Sequence, residues 1–395
     1  MSSTIRSNSF ASAGFFGSRG AWASLAATAF PGTLFAVKYG PRAGVSPWLA
    51  LAAFLAFFAF HVFVARWLST RVPSGRKGKL ILWIGVAGYA AVLLAAYLRV
   101  DPEHLNIDRW SALSRFWDAF ARGEYPYVRT HLGNYISGFP GLFVLAFPFW
   151  WLGDVGLLQF AALGAFVVLA LRVARETSSA AFVLLLLAGL PLFLYEVVVR
   201  SELFSNMVLV AWLVHAGNRP GAFAGRRILL AAVAWGLVLS TRAVAILPFA
   251  LVAFPLLKGR SPREVVLSGF VLAATFLATL APFFFWSPDH FHDVNPYFVQ
   301  SGAMPGWAVA IVLAFALCLG FRFRGSPRLF AHAGAVLFVA VFASWIIKSI
   351  RLGWATALWG NGFDISYFAL PLPFLLLYLT TTVSPGAPIV QGSGG

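Results

Sequence analysis

A chain of 395 residues that is 60% hydrophobic and only 11% charged does not have the surface of a soluble domain, which carries roughly a quarter charged residues. Its net charge of +16 comes from 29 Lys and Arg against 13 Asp and Glu. These cations lie between apolar runs rather than in a patch interleaved with aromatics, which argues against nucleic acid as a partner. The single cysteine, Cys318, excludes an intrachain disulfide and a cysteine-based metal site.

The chain opens with a polar, Ser-rich stretch, 1–20, that carries Arg6 and Arg19 and lacks a convincing small-residue cleavage site, so no cleaved signal peptide is expected. Apolar segments then recur at 21–37, 47–67, 79–98, 155–171, 178–195, 204–217, 228–241, 243–257, 265–285, 305–321, 330–348 and 366–382. A membrane crossing needs about 20 residues, and the pattern implies an all-α polytopic membrane protein with about twelve transmembrane helices. A single transmembrane domain is expected over 1–383, followed by a flexible Pro/Gly/Ser tail, 384–395.

Charge sorts along this alternation. With the N-terminus in the cytoplasm, the cytoplasmic segments collect 18 of the 29 Lys and Arg, among them Arg6, Arg219, Arg226, Lys258 and Arg324, against only Glu176 and Glu264. The orientation obeys the positive-inside bias and places both termini in the cytoplasm. Eleven of the 13 carboxylates fall on the opposite side, where acid–base chemistry is therefore expected.

The longest polar stretch, within 99–154, lies on that side and contains Asp101, Glu103, Asp108, Asp118 and Glu124. From Asp108 onward, Trp110, Leu113, Phe116, Trp117 and Phe120 recur near helical spacing, predicting an amphipathic interfacial helix that stops at Gly123. Residues 140–151 are apolar but too short to cross comfortably, predicting a second interfacial or re-entrant helix.

A long acidic loop that begins with a carboxylate just past a transmembrane helix, then an interfacial helix, then Gly123-Glu124-Tyr125-Pro126-Tyr127, resembles the GT-C class of membrane glycosyltransferases. The matching segment is Asp101 to Tyr127, followed by His131, Asn134 and Pro140. The resemblance implies a polyprenyl-phosphate sugar as donor, as in mannosyltransferases, and an essential acidic residue in the first large non-cytoplasmic loop. The acceptor is left open among glycan, lipid and protein. A bacterial plasma membrane is expected ahead of the endoplasmic reticulum.

Transfer from a glycosyl phosphate needs a base for the acceptor hydroxyl and positive charge for the departing phosphate. Asp108 is the first choice of base, its bland alternative being a helix N-cap. Asp101 and Glu103 follow, with a solvated loop as their alternative. Arg200 and Arg242 each interrupt apolar sequence near the outer face, where a charge is costly and usually faces a cavity or a partner. Arginine's planar fork suits phosphate. The alternatives are snorkelling or an ion pair, for Arg200 with Glu196 or Glu202. Glu202 is also a candidate polar element of the substrate site, as are Arg109, Tyr125, Tyr127 and His131, although interfacial aromatics more often anchor to lipid. Lys348 and Arg351 are weaker phosphate candidates.

Asp289, His290, His292 and Asp293 resemble a divalent-cation site in composition only. A hydrated loop is the simpler reading, and no metal is assigned. A transporter or flippase of a small or lipid-linked substrate is the competing function, since about a dozen helices suit it. No internal repeat supports that alternative.

Overall fold

The computed structural model describes residues 18–217, 227–257, 259–294, 296–302, 304–322 and 328–382. The N-terminal stretch up to residue 17, the tail expected at 384–395, and Arg6, Arg219, Arg226, Lys258 and Arg324 lie outside the described residues. Within them every regular element is helical, and β pairing is limited to one bridge between Arg129 and Tyr135.

The helices are α1 (Arg19–Tyr39), α2 (Pro47–Ser69), α3 (Gly75–Arg99), α4 (Arg109–Ala121), α5 (Pro140–Trp151), α6 (Leu157–Val173), α7 (Thr177–Ala188), α8 (Pro191–Val198) and α9 (Leu203–Gly217). They continue with α10 (Arg227–Leu239), α11 (Ile246–Leu257), α12 (Pro262–Trp286), α13 (Pro288–Asp293), α14 (Pro296–Ser301), α15 (Gly306–Arg322), α16 (Arg328–Leu352), α17 (Trp354–Leu358) and α18 (Leu372–Thr382). Several starts are written locally. Ser46 accepts from the Leu49 N–H with Pro47 in the first turn, and Ser261 and Glu264 form a capping box around Pro262. These side chains satisfy N–H groups that have no partner within the helix.

Six helical segments are long and apolar enough to cross a membrane, or seven if the bent pair α7–α8 is one span, where the sequence predicts about twelve. The other apolar runs form helices of 10–17 residues, which rise only about 15–26 Å against a hydrocarbon core of about 30 Å. The shortening has local causes. The segment expected at 178–195 bends by 66° between α7 and α8, where Pro191 starts α8 and Gly189 lies against the His61 ring. A Cβ at Gly189 would come within 2.2 Å of His61 Nε2, so any larger residue there would have to displace the His61 ring. The segment expected at 243–257 opens as a 3₁₀ turn, Ala243–Ala245, whereas the one expected at 366–382, whose 3₁₀ turn Ile365–Ala369 leads into α18, is among the six long ones.

The centre of the bundle is the segment Ile365–Thr382, which ends in α18 and has 78% of its apolar window buried; α18 is packed by α1, α7, α9 and α16. At the periphery, α2 and α3 bury 17% of theirs and α12 only 6%. Phe63, Ile84, Phe270 and Phe285 are accordingly exposed. Apolar helices that turn such surface outward need lipid around them, and the chain is an integral, multi-pass membrane protein.

The amphipathic helix and its successor appear as α4 and α5, and they share a second, smaller core. Phe116 stacks on Phe143 at 3.7 Å, Trp117 Nε1 donates to the Phe143 carbonyl, and Trp150 Nε1 donates to Asp118. Contacts then gather the connections assigned to one side by the alternation. Lys38 donates to the Gly360 carbonyl, Arg109 meets both Glu202 and Asp364, and Gln300 bridges the Ala243 N–H and the Ser137 carbonyl.

Candidate functional site

Where these connections meet, a cavity of about 230 Å³ opens. One wall is the start of α4 and the turn that follows it, with Asp108, Thr130 and Tyr135. The other carries Glu202, Arg242 and Asp364 from three later connections and Lys348 from the end of α16.

Asp108 precedes α4 at the N-cap position, yet its side chain makes no capping bond. The carboxylate instead turns to residues 130–134. Its Oδ2 accepts from Thr130 Oγ1 at 3.1 Å and from Asn134 Nδ2 at 2.8 Å. Residues 129–135 are built to supply these donors. The Gly133 N–H donates to the Thr130 carbonyl and the Thr130 N–H to the Asn134 carbonyl, while Gly133 has φ 79°. That left-handed backbone favours glycine and closes the turn. Two donors fix one carboxylate oxygen, and the other has no hydrogen-bond partner among the described residues. A carboxylate held in one orientation with a free oxygen in a cavity is arranged to accept a proton from a hydroxyl.

Behind it runs a chain of buried charges. Glu202 is 1% exposed, and its Oε1 meets both Arg242 Nη2 and Arg109 Nη1, the latter at 3.4 Å. Arg109 also binds Asp364 at 2.8 Å and stacks over the Tyr367 ring at 4.7 Å. Burial works against ionisation of Asp364, but Arg109 and then the Ser366 N–H outweigh it and hold the carboxyl below its ordinary value. Burial likewise opposes charge on Glu202, and Arg242 and Arg109 overcome it. The two arginines and two carboxylates neutralise one another and tie the first large loop to the last.

Two charged groups lining the cavity remain without an ion-pair partner among the described residues, namely Asp108 and Lys348. Arg242 Nε is buried there without a hydrogen-bond partner. The cavity therefore holds a free carboxylate on one wall and a free ammonium with an unsatisfied guanidinium N–H on the other.

Of the residues singled out by sequence, Asp108, Arg109, Glu202, Arg242 and the weaker candidate Lys348 line the cavity and the others do not. Asp101 caps the 3₁₀ turn Pro102–His104, accepting from the Glu103 N–H and from His104. That backbone N–H lowers its proton affinity. Glu103 is exposed in the same turn. Arg200 pairs with Asp154 at 3.2 Å, not with Glu196 or Glu202, and packs over Tyr97 and Trp110. His131 bridges Ser111 and the Leu105 carbonyl. Tyr127 is buried and donates to the Gly138 carbonyl, while Tyr125 lies against Trp286 and His290.

Sequence reasoning missed Asp364, Tyr367, Asn361 and Tyr135. The usable signal was that Asp364 is the sole carboxylate after Asp293. Among the described residues no group of three or more His, Cys, Asp or Glu is placed to hold a metal, and His290 bonds to Ser287.

No family model, no curated protein and no solved structure matches the chain.

Proposed function

We propose that this protein is a glycosyltransferase of the GT-C type, moving a sugar from a polyprenyl-phosphate donor to an acceptor hydroxyl on the non-cytoplasmic face. The observation that carries the reading is Asp108, oriented by Thr130 and Asn134 with one oxygen free in a cavity that also holds unpaired Lys348. In the proposed step the acceptor oxygen attacks the anomeric carbon and its proton passes to Asp108. The bond from that carbon to the phosphate oxygen breaks, and the lipid phosphate leaves with the electron pair. One displacement inverts the anomeric centre. Lys348 and Arg242 stabilise the charge that gathers on the phosphate, which a cation accomplishes best in a partly desolvated site. Arg109, Glu202 and Asp364 position the walls.

The gathering of these connections around one cavity supports the single-sided site this reading needs. A transporter remains the alternative, favoured by the 66° break and by Glu196 buried in the helix that follows it, because broken helices build many transport sites.

The test is transfer of radiolabelled sugar from a panel of polyprenyl-phosphate sugars to membrane extracts, by the purified protein and its Asp108→Asn variant. Transfer lost in a folded variant supports Asp108 as base, and transfer retained removes it from that role. No transfer from any donor, with substrate-dependent uptake into proteoliposomes, replaces the enzyme reading with the transporter.

A further inference from the structure

The wall around Asp108 bears on which kind of hydroxyl it faces. Beside it lie Tyr135, Ser137 and Thr130, and Asn361 reaches the cavity from the last connection. Tyr135 is 39% exposed and is the one large aromatic exposed at this wall, since Phe143 and Leu142 are buried. Its ring is fixed in advance. Arg129 lies over it at 4.2 Å and donates to its hydroxyl at 2.6 Å and to the Gly133 carbonyl at 2.9 Å. Arg115 in turn donates to the Arg129 carbonyl. The turn that orients the base thus presents an immobilised aromatic ring next to it.

From this arrangement we infer that the acceptor is a carbohydrate whose C–H face packs on Tyr135 while its hydroxyls meet Ser137 and Asn361. Its catalytic meaning rests on the transfer reading above. A pyranose matches the wall because its ring hydrogens form a weakly positive apolar face, complementary to the negative face of an aromatic ring. Its rim needs hydrogen-bond partners, and neither the Ser137 hydroxyl nor the Asn361 side chain has one among the described residues. A lipid alcohol would call for a continuous exposed apolar wall here, and this wall offers one ring among polar groups. Fixing the ring in advance lowers the ordering cost of binding.

Saturation-transfer NMR on the full chain in nanodiscs free of glycoside detergents, with no donor present, tests this directly. The probes are methyl mannoside, mannotriose and maltotriose, with a capped Gly-Ser-Gly peptide for comparison. Binding of at least one saccharide is expected, weakened about tenfold or more in Tyr135→Ala and kept within about threefold in Tyr135→Phe and Tyr135→Trp, which retain an aromatic face. Tyr135→Leu keeps bulk without the π face and is expected to behave like the alanine variant. Saccharide binding that ignores Tyr135, absence of saccharide binding, or binding of the peptide alone overturns the inference. Because no donor is used, the result is independent of turnover. Tyr135-dependent saccharide binding in a protein that transfers nothing refutes the transfer reading and leaves the carbohydrate site standing. In an active protein Tyr135→Ala raises the acceptor KM with kcat nearly unchanged, and a lowered kcat alone also overturns the inference.

Discussion

Glu202→Gln isolates the buried charge chain. Glu202 serves two guanidinium groups, but their situations differ: Arg109 retains Asp364 at 2.8 Å, whereas Arg242 has no other carboxylate among the described residues. At the 3.4 Å separation of Arg109 and Glu202, Coulomb's law with an effective dielectric of about 20 gives a gross attraction of about 5 kcal/mol, much of it offset by desolvation. Leaving Arg242 buried without its partner is therefore expected to cost about 3–5 kcal/mol. Arg242→Gln costs less, because Glu202 keeps Arg109. The double variant recovers part of the loss, with a coupling of about 1–3 kcal/mol. Equilibrium unfolding by dodecyl sulfate in mixed micelles, followed through the 15 tryptophans, measures all three. Strictly additive losses, or a Glu202→Gln cost no larger than that of Arg242→Gln, would refute the shared-carboxylate account.

Lys348→Ala is expected to lower transfer at least about tenfold while leaving stability within about 0.5 kcal/mol, since no ion pair is lost; a stability loss with full activity contradicts a phosphate role. Asp364 has a folded proton affinity held below the unfolded one, so its stabilisation is complete above the unfolded carboxylate pKa, about 4, and fades as pH falls through the lower folded value. Asp364→Asn should be less stable at pH 7 and show a shallower acid loss, and parallel unfolding curves for the two proteins would count against it. Arg200→Ala should cost stability through lost packing on Tyr97 and the Asp154 pair, with donor KM unchanged; a raised donor KM would restore Arg200 to the site. Transfer should persist in EDTA if Arg242 and Lys348 carry the phosphate, and loss restored by Mg²⁺ or Mn²⁺ would assign a divalent cation that role.

Much of the architecture is legible because lipid imposes a simple rule on sequence: apolar runs become helices, and cations mark the gaps. The α4 helix was equally readable from its aromatic spacing. The break at Gly189-Leu190-Pro191 was not, since all three residues average as apolar and the contact that bends the chain is with His61, more than 120 positions away. The site was half legible for the same reason. Asp108, Arg109, Glu202 and Arg242 advertise themselves as charges at helix ends. Asp154 as the partner of Arg200, and Asp364 as that of Arg109, are contacts that no local pattern encodes. Tyr135 was hidden among many aromatics, distinguished only by the turn that carries it.

The clamp between Arg109 and Asp364 also orders the making of the protein. The two residues are separated by 255 positions, and Lys38 and Gly360 by 322. During synthesis the guanidinium of Arg109 is in place long before the carboxylate that completes its surroundings leaves the ribosome. Until then the first loop has Asp108 but only one wall of the cavity, so a nascent chain carries that carboxylate without its enclosure. Closure of the site thus coincides with insertion of the last helix, and a chain arrested before residue 364 is left with an unfinished pocket and a guanidinium short of one partner.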